Sequence, residues 1–139
     1  MQISARNQIN VTITEIEEGA VNSVLILETA QGLKLNASIT NTSVKIMDLK
    51  IGEKVVCFFK ASNVLIATGA MPSISARNKI LGDIKEIKMG AVNDEIIMNV
   101  GNGDEITAII TNDAVKELGL MEGEKAIAII KASEVMIAK

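Results

Sequence analysis

The chain has 139 residues, 48% of them hydrophobic, with a formal net charge of −3 and a pI near 5.0. That length fits one ordinary domain or two very small ones, and the acidic balance argues against a broad basic surface for nucleic acid. With no histidine, one cysteine and no tyrosine or tryptophan, the sequence lacks the commonest catalytic base and transition-metal ligand, cannot form an internal disulfide, and offers almost no rings for base stacking.

The predicted elements follow in chain order. Residues 9–16, INVTITEI, alternate Ile9, Val11 and Ile13 with Asn10, Thr12 and Thr14, which predicts a strand with one buried face. EEGAVN turns the chain, SVLILET predicts a second strand, AQG at 30–32 turns it again, and LKLNASIT at 33–40 alternates as a third. Short glycine-bearing connections favour antiparallel pairing. After Thr40 the period changes. Asn or Thr offers a cap, Val44 and Met47 follow with Leu49 nearby, and a helix over 42–49 is expected to stop at Gly52. EKVVCFFK at 53–60 and NVLIA at 63–67 predict the fourth and fifth strands, with KAS as the bend between them. TGAMPSI at 68–74 holds the single proline, Pro72, and is the expected linker.

The rest of the chain repeats the first part. Shifted so that Ser4 falls on Ser75, roughly 30 of about 65 aligned positions are identical, without a gap to the end. ISARN occurs at 3–7 and at 74–78, TN precedes each helix, and KASNVLIA at 60–67 meets KASEVMIA at 131–138. The expected organisation is a first unit over 1–68, a linker over 69–74 and a second unit over 75–139. The fold class is all-β with short helices: two tandem five-stranded antiparallel barrels of the oligonucleotide/oligosaccharide-binding (OB-like) type. A unit of about 65 residues is marginal alone, so the units are expected to pack on each other or on further subunits. Cys57 lies in the apolar run VVCFF and is matched by Ala128, which marks it as a small core residue.

Recurrent apolar residues are explained by packing, whereas recurrent polar residues need a further reason. Singly, each has a structural one: Gly52-Glu53-Lys54 as a turn, Asn22 as a turn residue, Asn41 as a helix cap, Lys60 as a solvated cation. Together, the hydroxyls of Ser4, Thr40, Ser43 and Ser62, the Arg6 guanidinium and the Lys60 ammonium have the chemistry to hold a small oxyanion. SARN near a repeat start, TN before a short helix and KAS-x-V before the last strand resemble the Mop (TOBE) domain of the molbindins, a module also found in molybdate transporters and molybdate-responsive regulators. The likeness covers the whole chain twice, as in a tandem molbindin.

The resemblance implies molybdate or tungstate as bound ligand with no organic cofactor. It also implies a homo-oligomer, a trimer, with sites at subunit contacts. It places Ser4, Arg6, Asn7, Thr40, Ser43, Lys60, Ala61 and Ser62 at one site, Ala61 through its backbone N–H. Ser75, Arg77, Asn78, Thr111, Lys131, Ala132 and Ser133 are their counterparts in the second unit. Asp113 and Ala114 stand where the first unit has Thr42 and Ser43, so the two units are not expected to bind equally. No secretory signal or membrane-length apolar segment is visible, and a cytoplasmic location is expected. The expected role is non-enzymatic oxyanion storage, buffering or homeostasis, without nucleic-acid or membrane partners. The alternative is a sensing module that reports the oxyanion level to another protein; the lack of an output domain favours storage.

Overall fold

A computed structural model describes all residues, Met1–Lys139. The first half runs β1 (Asn7–Glu18), β2 (Asn22–Glu28), β3 (Lys34–Thr40), α1 (Asn41–Ile46), β4 (Lys54–Phe59) and β5 (Leu65–Ala67). The second runs β6 (Asn78–Lys88), β7 (Asn93–Asn99), β8 (Glu105–Thr111), α2 (Asn112–Leu118), β9 (Lys125–Ile130) and β10 (Met136–Ala138). A single 3₁₀ turn precedes each last strand, at Ala61–Asn63 and Ala132–Glu134.

Strand periodicity follows the alternation in the sequence. Ile9, Val11 and Ile13 are buried on β1 while their neighbours face outward. A bulge between Ile13 and Glu15, repeated between Ile84 and Glu86, bends the long first strand of each half. The recurrent Gly-Glu-Lys phrase docks at this bend. The Gly52 N–H donates to Ile13 O (2.7 Å) and Ile13 N–H donates to Glu53 O (2.9 Å); Gly123, Ile84 and Glu124 repeat the pattern. Gly19 and Gly90 close the β1–β2 and β6–β7 turns, where a Cβ would collide with the carbonyl oxygen of Asn22 or Asn93.

The helices are shorter than the sequence spacing predicts, and Gly52 does not end the first. α1 stops at Ile46, and Asp48 then takes a left-handed conformation (φ 50°) that reverses the chain. At the equivalent position α2 meets Gly119 (φ 64°), where the same conformation is free of Cβ strain.

The strand order departs from two self-contained units. One sheet is β10-β4-β1-β2-β3 and the other β5-β9-β6-β7-β8, all antiparallel. Each half contributes four strands to its own sheet and its last strand to the other: Ile137 pairs with Cys57, and Ile66 with Ala128. After each 3₁₀ turn the chain continues extended, at Val64 (φ −94°, ψ 119°) and Val135 (φ −89°, ψ 119°), and runs on to the neighbouring sheet. The sheets are OB-like but do not close as barrels. β10 approaches β3, and β5 approaches β8, without a backbone ladder.

Exchange merges the cores. One cluster of 24 buried side chains draws on both halves, from Ile9 and Phe59 to Ile130 and Val135, so neither half has a separate interior. Cys57 is fully buried in it, and that burial pushes its thiol up to about 12, which makes it an inert packing residue.

Candidate functional site

The two SARN phrases sit at the seam between the halves. Asn7 is 3% exposed and bonds the backbone of β8 at both ends of its carboxamide. Its Nδ2 donates to Thr107 O (2.8 Å), and its Oδ1 accepts from Thr107 N–H (2.8 Å). Asn78, 2% exposed, does the same to Asn36 on β3, with distances of 2.9 and 2.7 Å. Asn36 and Thr107 are themselves equivalent positions, so the halves are related by a pseudo-two-fold. This explains why Asn recurs: a planar amide mimics one rung of a ladder where one half meets the other. At these two positions, which the resemblance places in the oxyanion site, the side chains clamp the halves together.

The clamp aims the residues before it. Arg6 reaches the opposite half and forms an ion pair with Glu95 on β7. Arg77 makes no ion pair. Ser4 and Ser75 are exposed. The segment around Ser4 is held by Gln8, whose Nε2 donates to the carbonyls of Ile3 (2.8 Å) and Ala5 (2.9 Å).

Lys60 and Lys131 are exposed, extended residues at the entry of the 3₁₀ turns. Ala61 and Ala132 are buried beneath the turns, and Ser62 and Ser133 point outward. Because of the strand exchange, the Ala61–Asn63 turn packs on β8 and the Ala132–Glu134 turn on β3. The turns also touch each other: Asn63 Nδ2 donates to Glu134 Oε2 (3.0 Å).

Thr40 caps α1. Its Oγ1 accepts from Ser43 N–H (3.1 Å) and donates to Ser43 Oγ (2.9 Å). Thr111 caps α2 through Ala114 N–H (3.1 Å). Asn41, read from the sequence as the cap, instead ties the β1–β2 turn: Nδ2 donates to Gly19 O (2.8 Å) and Oδ1 accepts from Ser23 (2.6 Å). In the second half Asp94 replaces Ser23. Asn112 donates to Asp94 and to Gly90 O (3.2 Å).

The candidates thus gather across the repeats. Ser4, Arg6, Lys60, Ala61 and Ser62 belong to the β7–β8 face, where the strand ends in Thr111. Ser75, Arg77, Lys131, Ala132 and Ser133 belong to the β3 face, which ends in Thr40 and leads to Ser43. Glu95, the Arg6 partner, pairs in register with Ile109, two residues or roughly 7 Å of strand before Thr111. Each face offers a guanidinium, an ammonium, hydroxyls and backbone N–H groups at a turn, a donor set suited to a small tetrahedral anion. Of the acids on the β7–β8 face the sequence pattern marks only Asp113, not Glu95, Asp104 or Glu105. Arg6 opens onto a polar cleft of about 560 Å³ that it shares with Gln31, Asp104 and Glu105.

The chain matches the TOBE domain over residues 3–66 and again over 74–137. It is 41% identical over 139 residues to molybdenum-pterin-binding protein MopA of Rhodobacter capsulatus, covering 99% of this chain and 52% of that protein. It is 34% identical to molybdenum transport protein ModE of Herbaspirillum seropedicae, with the same coverage. The chain therefore spans about half the length of these curated relatives. Among solved structures, the cytoplasmic molybdate-binding protein ModG with molybdate bound superposes with a TM-score of 0.94 at 42% identity, over 99% of both chains.

Proposed function

Because the chain belongs to the TOBE domain family and carries two copies of the domain, we propose that it binds molybdate, and tungstate by the same chemistry, as a non-enzymatic oxyanion store or buffer of the cytoplasm. The observation that carries this reading is the duplicated donor set: one arginine, one Lys-Ala-Ser turn and one capping threonine on each of two pseudo-symmetric faces. The ModG likeness supports it, since that chain has the same extent and binds molybdate.

In this reading one site uses Ser75, Arg77 and the Lys131–Ser133 turn with Thr40 and Ser43. The other uses Ser4, Arg6 and the Lys60–Ser62 turn with Thr111. Asn7 and Asn78 serve by positioning the arginines beside them. A cation about 4 Å from one unit of anionic charge gains roughly 4 kcal/mol at an effective dielectric near 20. Part of that offsets desolvation of both partners, which is why hydroxyls and turn N–H groups must complete the shell. A trimer with these faces at subunit contacts would dehydrate them further.

A second reading is favoured by one observation: relatives such as ModE carry the same paired domains in proteins about twice as long. There the pair would report oxyanion level to a partner. Native mass spectrometry with and without molybdate tests the primary reading. A trimer that gains molybdate in a fixed number per chain is expected, and a spectrum unchanged by molybdate would refute it. Thermal melting adds selectivity: molybdate at about 100 times its dissociation constant should add roughly 2.7 kcal/mol per site, and phosphate far less.

A further inference from the structure

We infer that the two oxyanion sites are unequal by construction, with Glu95 an internal counter-charge that occupies Arg6 and leaves the Arg77 face as the tighter site. The inference rests on the oxyanion reading above and names what regulates it. Arg6 is held by Glu95, whereas the position equivalent to Glu95 beside Arg77 is Val24. Arg77 is correspondingly free of any ion pair.

The difference extends along the face. Asp104, Glu105 and Asp113 stand where the other half has Leu33, Lys34 and Thr42. The Arg6 face thus carries four carboxylates at positions where the Arg77 face has none, whereas the Arg77 face has Glu134 in its turn where the other has Asn63, and gains Lys34. The hydroxyl of Ser43 is also missing on the Arg6 face, where Ala114 replaces it. Two of these acids are already engaged: Asp104 accepts from Thr29 Oγ1 (2.8 Å) and Glu105 from Lys85 (2.7 Å). Glu95 alone is paired with a residue of the candidate site.

A dianion reaching Arg6 must displace the Glu95 carboxylate and then sit beside it. The Arg6 side chain remains half exposed (51%), so the exchange needs no unfolding, only loss of one ion pair. At Arg77 no ion pair has to be displaced, and the one carboxylate of its turn, Glu134, is engaged by Asn63 Nδ2 (3.0 Å). Two ligand concentrations are therefore written into one chain: the Arg77 face fills first, and the Arg6 face fills as a reserve once molybdate exceeds the Glu95 competition.

Isothermal titration of the full chain with sodium molybdate tests this. The parent should show two affinity classes; Arg77→Ala should remove the tighter and Arg6→Ala only the weaker. Glu95→Gln, which removes charge and keeps shape, should tighten the weaker class about tenfold and leave the tighter unchanged. Val24→Glu, the reverse transplant, should weaken the tighter class by a similar factor. A single class in the parent, an unmoved weaker class in Glu95→Gln, or loss of the tighter class in Arg6→Ala would overturn the counter-charge while leaving molybdate binding intact. A parent that binds no molybdate at all would overturn the oxyanion reading itself.

Discussion

Asn7, at the end of the first SARN phrase, joins the two halves of the molecule. Its carboxamide satisfies both backbone groups of Thr107 at the seam. Asn7→Ala would leave the half-buried N–H and C=O of Thr107 with no partner, and each such group costs about 1–3 kcal/mol when fully buried. A loss of roughly 2 kcal/mol or more in urea unfolding is expected, with the molybdate stoichiometry of the folded protein retained. A variant of unchanged stability that fails to bind would return Asn7 to the ligand shell. The duplication made this residue conspicuous but could not assign it, because a pseudo-symmetric seam and a pair of binding sites both demand the same residue twice. Arg6 and Lys60 are ambiguous for the same reason. What separates Arg6 from Arg77 is Glu95, nearly 90 residues from Arg6 in the chain and invisible to local motif reading.

Elements were legible wherever a period was. β1 and β3, with alternating apolar faces, lie close to their predicted spans, and the change of period after Thr40 does mark α1. The helix end was misplaced because Asp48, not Gly52, takes the left-handed turn. Asp48→Gly copies Gly119 of the other half and should raise stability by about 0.5–1 kcal/mol in chemical denaturation, since the exposed Asp48–Lys50 pair contributes little. The exchange of β5 and β10 was not legible at all. VLIA and VMIA are nearly the same strand, and either fits either sheet edge. Lys139 fastens the exchange on one side: its Nζ donates to Met47 O (2.6 Å) and pairs with Glu53 (2.8 Å), whereas Thr68 stands at the equivalent position. The Lys139 hydrogen bond holds the Glu53 carboxyl below its ordinary value. A depressed carboxyl stabilises the fold above its unfolded value, roughly pH 4.3, and that contribution is lost as pH falls through the folded one. Melting curves should therefore separate the parent from Lys139→Ala at pH 7, with a narrower gap at pH 3. A gap that widens in acid would contradict the clasp.

At the scale of the molecule, the exchange makes one fold of two repeats, yet the surface is left apolar in places that the shared core does not reach. Val21 and Val92 are each 70% exposed at the tips of the β1–β2 and β6–β7 turns. Ile46, at the end of α1, is 80% exposed. Their backbones are fixed, since the carbonyls of Val21 and Val92 accept from Asn41 and Asn112, so the side chains are presented rigidly and by both halves alike. Apolar side chains held outward at two pseudo-equivalent tips fit a surface that closes against further copies, and each such side chain contributes about 1.5–3 kcal/mol when fully buried. Val21→Asp combined with Val92→Asp would place a charge in each contact while leaving the interior untouched. Sedimentation equilibrium should then show the parent as a trimer and the double variant shifted to smaller species, with an unaltered circular dichroism spectrum. If the double variant sediments as the parent does, the assembly uses another face.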